Sequence, residues 1–357
     1  MEIRIYSSSL AFLGIVENQS SLLWNRKYDE AGDFELHVPL TADNRRLLTL
    51  GRLVTFREAV EAGVIESIKL EESPTTKHMT VKGRFLSSYL DLRIVQPRYK
   101  ATNAYADDVM RTLVSNLAQS PIRKIPLLSV AASPTFHDVR IPNIQITYKN
   151  LLAMESKLAK EGSYGFRIRP DFTAKTLTFE VYKGTDHSDS QTTNAQVVFS
   201  SENGNINSAT YELNQSLYRT NILVGGQIID GVRVVTDPFE DNELMGLDYR
   251  VAFLDATDIQ HDGDDTAYER ELQTRGREKL LADYHTSETF DCTTTANGQF
   301  VYKRDYDLGD IVTIRKDDWG IVLHKRITEV TEVYENQIPT VSLTFGDALP
   351  TSIDWED

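Results

Sequence analysis

The stretch LGDIVTIRKDDWGIVLHKRITEVTEVYENQIPTVSLTFGD, Leu308 to Asp347, constrains the chain most. Ile311, Thr313 and Arg315 alternate with Val312 and Ile314, the period of a half-buried strand. Lys316-Asp317-Asp318 makes a turn. Gly320 to Val333 is rich in the β-branched residues that suit a pleated surface. Glu335-Asn336-Gln337 turns again before Thr340 to Phe345. Such a meander must close or pack to hide its edges.

The meander has an earlier echo. GRLVTFREAVEAGVIESIKLEE from Gly51 parallels GDIVTIRKDDWGIVLHKRITEV from Gly309, with Gly51/Gly309, Val54/Val312, Thr55/Thr313 and Arg57/Arg315 in step. Gly63 and Gly320 open the second strand of each copy, and Gly83 and Gly346 follow the third. Two copies of one small β domain are therefore expected, closed as barrels, with Val54 superposing on Val312.

Between and around the copies the pattern changes. Asn103 is expected to cap a helix carrying Tyr105, Val109, Leu113 and Leu117, and Thr147 to open a second that stops at Gly162. Phe166–Arg169 and Leu177–Tyr182 read as a hairpin about Pro170-Asp171. The fold class is mainly β with an α+β insert. Residues 1–97 form a first barrel, 98–200 the insert, and 201–350 a second barrel holding a helix over 264–284. Residues 351–357 form a tail.

The 357 residues carry a formal charge of −15, which argues against a surface that grips nucleic acid. Acidic turns at Asp237–Glu243 and Asp255–Asp265, with Glu58 and Glu61, are candidates for a surface past which a polyanion slides. No apolar run is long enough to span a membrane, and the N-terminus reads as strand and not as a leader. Cys292 stands alone and reads as packing. The spacings of nucleophile elbow, zinc helix and phosphate loop are absent. Asp255, Asp258, His261, Asp262, Asp264 and Asp265 form the best metal candidate, but their spacing fits no EF-hand. Trp24, Trp319 and Trp355 could stack on a sugar; for Trp24 and Trp319 a core or interface place is commoner. No cofactor, metal or catalytic residue is assigned.

WNRKYDEAGDFELHVPL, GRLVTFRE, VKGRFLSSYLDLRIV, TRGREKLL and DYDLGDIVTI, closing with ITEV and TFGD, resemble in order and spacing the siphophage tail hub proteins. The resemblance runs from about Leu22 to Asp347. It implies a structural, non-enzymatic virion protein of the tail tip, made and assembled in the host cytoplasm. Its two pseudo-symmetric barrels would sit in a homotrimeric ring, with the first barrel of one subunit against the second of the next. That ring would join a six-fold tail tube or distal tail protein to a tip, fibre or receptor-binding protein, and line or close a channel for DNA ejection. Interface and structural candidates are Trp24, Phe34, Gly51, Val54, Gly83, Arg84, Gly309, Asp310, Val312, Trp319 and Gly346. The alternative is a cell-wall-degrading tail-associated hydrolase with its site in the 98–200 insert.

Overall fold

The computed structural model describes residues 1–134, 136–236, 244–295, 299–335 and 339–346. Strands dominate, and most belong to one extended sheet. It runs from Ser208–Asn214 through Ser287–Thr295 and Thr340–Gly346 to Ile321–Tyr334. It then crosses to Ser21–Lys27 and continues through Asp33–Pro39, Lys77–Phe85, Gly63–Glu72, Leu53–Phe56 and Ile3–Tyr6 to Phe12–Val16. Ile311–Lys316 pairs beside the first part of Ile321–Tyr334 and takes Val198–Ser200 on its far side.

The same strand order occurs twice. Ser21–Lys27, Asp33–Pro39, Lys77–Phe85, Gly63–Glu72 and Leu53–Phe56 lie side by side in that order. So do Ser208–Asn214, Ser287–Thr295, Thr340–Gly346, Ile321–Tyr334 and Ile311–Lys316. Register agrees as well. Gly51 N donates to Ile65 O and Gly309 N to Ile327 O, both at 2.8 Å; Ile65 N donates to Arg52 O at 2.9 Å and Ile327 N to Asp310 O at 2.8 Å. A bulge follows Ile65 in one copy and Ile327 in the other. Counting along the ladders puts Val54 on Val312, Thr55 on Thr313 and Phe34 on Phe290.

The ladders correct two of the glycine matches. Gly63 corresponds to Lys325, not Gly320, and Gly83 to Phe345, not Gly346. The glycines answer different needs. Gly63 lies under the Phe34 ring, where a Cβ would meet Cδ1 at 2.3 Å, whereas Gly320 ends a turn at φ +68 with open space around it. The hydrogen-bonded path is also open at both ends, where closed barrels were expected. The long strand Ile321–Tyr334 gives one side of its second half to Ser21–Lys27 of the other copy, so the pairing runs between the halves.

The insert packs helices Ala106–Ser115 and Leu151–Gly162 on strands Gly165–Asp171 and Thr176–Tyr182. Both helices start later than expected. Asn103 lies in the strand Tyr99–Tyr105 at φ +51. Asn150 caps the second helix by accepting from Ala153 N at 3.0 Å. The insert shares one apolar core with Tyr6, Leu53, Val64 and Leu86 of the first half. Val198–Ser200, inside the span expected for the insert, pairs with the second half.

A further small unit interrupts the second half. Strands Asn221–Ile229, Val232–Val235 and Val251–Asp255 carry helix Asp265–Asp283 on one face, its Tyr268 and Leu272 in one core with Val224. Asp264 caps that helix, which runs through Gly276 without a break. Among the described residues no helix is long and apolar enough to cross a membrane. The turn Asp237–Glu243 and Trp355 lie outside the described residues, as do Asn336-Gln337 of the last turn.

Candidate functional site: the joint between the two halves

The two halves meet along one antiparallel strand pair, Leu22 to Lys27 against Tyr334 to Glu329. Side chains alternate along it, so Leu22, Trp24 and Arg26 share the face turned inward. Trp24 fills the first core against Phe34, Phe56 and Phe85, with ring centroids 5.8, 5.2 and 4.5 Å away. Arg26, two residues on, is 2% exposed.

A buried guanidinium requires partners for its donors, and this one has them. Nε and Nη2 of Arg26 donate to the Glu61 carboxylate at 2.9–3.1 Å, and Nη1 donates to Tyr302 Oη at 2.7 Å and to Asp307 Oδ1 at 2.5 Å. Tyr302 Oη donates onward to Glu332 Oε1 at 3.1 Å; Lys303 Nζ sits 2.9 Å from the same oxygen, and Tyr334 Oη donates to Glu332 as well. Burial opposes the charge on Arg26. Glu61, Tyr302 and Asp307 outweigh it and hold the guanidinium well above its ordinary value. The result is a charge-paired lock with Arg26 and Glu61 from the first half and Tyr302, Lys303, Asp307, Glu332 and Tyr334 from the second.

Tyr28 extends the joint to the insert. Its ring lies against Gly165 of the insert and Gly309 of the second half, where an added Cβ would come within 2.5 and 2.3 Å. Gly184 N donates to Tyr28 Oη at 3.3 Å, and Tyr28 Oη donates to Ser163 O at 3.2 Å. Asp310 pins the same corner: it accepts from Thr185 N at 2.7 Å and from Asp307 N at 2.8 Å, and burial raises its pKa. One tyrosine and one aspartate thus hold three parts of the chain together.

The residues singled out from sequence are spread over the molecule. Trp24, Phe34 and Val54 are core, with Gly83 beneath the Phe34 ring; Val312 is buried in the second core. Gly309 and Asp310 belong to the joint. Gly51 is an exposed turn at φ +77, and Gly346, at φ +86, ends the last strand beside Glu288 O. Arg84 forks onto Glu66 at 3.0 Å and reaches Asp91 at 2.9 Å, which raises its pKa. Trp319 stands apart, 45% exposed, with Lys316 Nζ 4.8 Å from its ring centre.

Several expectations about charge and sugar binding change. Trp24 is enclosed in its core and has no face for a sugar. Glu61 is turned onto Arg26 and offers no charge to a passing polyanion. The acidic loop does not converge on one point. Asp255 pairs with Arg233, Asp258 with Lys149 and Arg275, Asp262 with Lys100, and Asp265 with His261. Arg233, with the Thr257 bonds, holds Asp255 down at about 2. A groove of about 1350 Å³ lies between the first half, helix Leu151–Gly162 and helix Asp265–Asp283. Two pairs of opposite charge line it, Lys160 with Glu30 at 2.9 Å and Lys157 with Glu278 at 3.2 Å. Cys292 is buried, and burial pushes its thiol up to about 12.

Comparison with known proteins follows the fold. A tail protein from Neisseria meningitidis MC58 is similar over 97% of this chain and 96% of its own, at 15% identity and TM-score 0.60. The 43 kDa tail protein of prophage MuSo2 from Shewanella oneidensis matches over 97% and 98%, at 12% identity and TM-score 0.57. Prophage tail protein gp18 from Listeria monocytogenes EGD-e matches over 96% and 94%, at 14% identity and TM-score 0.50. No curated protein sequence matches. The tail-protein fold and a sequence match over residues 2–347 agree, and the chain belongs to the family of Siphovirus ReqiPepy6 Gp37-like proteins.

Proposed function

We propose that this chain is the hub subunit of a siphophage tail tip: a structural protein, three copies of which form a ring that joins the six-fold tail tube to the tip apparatus. The observation that carries this reading is the strand-for-strand match between the two halves, down to the backbone bonds of Gly51 and Gly309. Two like β units per chain make six in a trimer, so a three-fold ring can meet a six-fold tube without mismatch. Each unit has an aromatic core of its own. Closed rotational symmetry uses head-to-tail contacts between unlike patches, and a chain with two unlike halves supplies both patches. Distal tail or tail tube protein on one face and a tip, fibre or receptor-binding protein on the other are the partners. DNA passes through the ring during ejection, and the net charge of −15 suits a lumen that does not hold it.

Size-exclusion chromatography with light scattering tests the assembly, alone and mixed with the tail tube protein. The expected mass is three times the 40.5 kDa chain. A monomer at all concentrations, both alone and with the tail tube protein, overturns the reading.

A further inference from the structure

Inside the chain the halves are joined by Leu22–Lys27 on Glu329–Tyr334. Among the described residues, the strands in the matching positions at the far edges have one open side each. Ser208–Asn214 stands where Ser21–Lys27 stands; among the described residues it pairs only with Ser287–Thr295 and ends the sheet. Ser67–Glu72 stands where Glu329–Tyr334 stands. It pairs with Lys77–Lys82 on one side, and on the other Leu53 and Val54 reach only Val64 and Gly63.

We propose that these two open strands pair with each other between neighbouring copies of this chain, antiparallel and in the register of the internal joint. The proposal rests on the ring reading above and adds to it the edges, direction and register of the contact.

The register follows from backbone alone. The bulges after Ile65 and Ile327 place Ser67 on Glu329, and the match of Phe34 with Phe290 places Trp24 on Tyr211. Carried across, the pairing of Asn25 with Thr331 becomes Glu212 opposite Lys69. The pairing of Trp24 with Glu332 becomes Tyr211 opposite Leu70, and that of Arg26 with Val330 becomes Leu213 opposite Ile68. No side chain entered that construction, yet it sets opposite charges face to face and apolar side chains on each other. Shifting by one residue sends each side chain to the wrong face.

Other observations agree. Leu70 is 46% exposed and Leu213 58% exposed, apolar residues on strand edges that a lone subunit leaves wet. Where Lys69 would meet Glu212, the internal joint already has a cross-strand bond from Thr331 Oγ1 to Asn25 Oδ1 at 3.0 Å. Lys69 now rests on exposed Glu71 at 2.8 Å, a pairing worth little and easily exchanged. The contact is head-to-tail, an edge of the first half meeting an edge of the second, as ring closure requires.

Paired cysteines test it in the full chain. Directly opposed Cβ atoms lie within reach of a disulfide, so oxidation of the Leu70→Cys, Tyr211→Cys variant yields a covalent ladder that ends at three chains on a non-reducing gel. Leu70→Cys with Glu212→Cys points to opposite faces and yields none. The charge pair gives a second reading: Lys69→Glu weakens association about fivefold per contact, and adding Glu212→Lys restores it. A trimer by light scattering that neither cross-links nor responds to the charge swap overturns this contact and leaves the ring reading standing. A chain monomeric under all conditions overturns both.

Discussion

Arg26 shows at the scale of one residue how a buried charge binds distant parts of a chain. Its partners lie 35, 276 and 281 residues away. Replacing it by Met leaves Glu61 enclosed without its cation, and breaking a buried pair from one side costs about 3–5 kcal/mol. Urea unfolding of Arg26→Met should show that loss, and Arg26→Met with Glu61→Met should recover most of it. Glu155 is the opposite case. It is fully buried in the insert, both carboxylate oxygens lack a partner among the described residues, and burial raises its pKa well above the ordinary value. The folded state then holds a proton that the unfolded chain releases, so Glu155 withdraws stability as pH rises above the ordinary carboxylate range. Glu155→Met should raise the melting temperature by on the order of a few degrees at pH 7, with the gain fading toward pH 4. Scanning calorimetry at both pH values checks it; an equal gain at both would refute the assignment. The sequence held a partial signal for each. Arg26 follows Leu22 and Trp24 at inward spacing, and Glu155 falls one turn after Leu151 and near Leu158 on the core face. Which distant group met each of them had no local trace.

At the scale of elements, the two hairpins were the most legible part of the chain. Alternation and β-branched content place strands at Leu53–Phe56, Ile311–Lys316 and Ile321–Tyr334, because one buried face imposes the period. The equivalence of glycines was less legible, since a glycine can answer to φ, to space or to both. Gly51 and Gly309 share positive φ, +77 and +93. Gly51 has nothing within 4 Å of its missing Cβ, whereas Gly309 faces the Tyr28 ring at 2.3 Å. Gly51→Ala should therefore cost only the strain of a left-handed residue, about 1–2 kcal/mol. Gly309→Ala adds displacement of Tyr28 from the three-part joint, for a loss roughly 1–3 kcal/mol larger. Chemical denaturation of the two variants side by side decides it. Equal losses would mean that Tyr28 does not hold the joint. Helix starts were read too early because Asn103 and Thr147 both look like caps. Backbone pairing claims Tyr99–Tyr105, and Asn150 makes the cap bond instead.

At the scale of the molecule, composition and repeat pointed to two β halves around a mixed insert, and the strand order repeats accordingly. How the halves join was not legible, because the joint is a ladder between residues about 300 positions apart. Nor was the small unit between Thr220 and Asp283 seen as separate, since its strands read like the rest of the second half. The structure brings its ends together: Arg219 N donates to Tyr284 O at 3.0 Å. Its core of Val224, Ala256, Ile259, Tyr268 and Leu272 is its own. Its ties to the insert are polar, among them Lys157 to Glu278 at 3.2 Å, Lys100 to Asp262 at 3.0 Å and Arg275 to Gln145 O at 3.5 Å. An element with adjoining ends and a private core can be removed without opening another core. Replacing residues 220–283 by a short Gly-Ser turn should leave a chain that unfolds in one cooperative step, with near-native near-ultraviolet circular dichroism from Trp24 and its aromatic neighbours. The melting temperature should fall by only a few degrees, because exposed polar ties contribute about 0–1 kcal/mol each. A molten product, or a second transition, would mean that this unit is structurally part of the joint. If the shortened chain also keeps its association, the edges at Ser67–Glu72 and Ser208–Asn214 suffice for assembly, and the excised unit is free to serve contacts outside the ring.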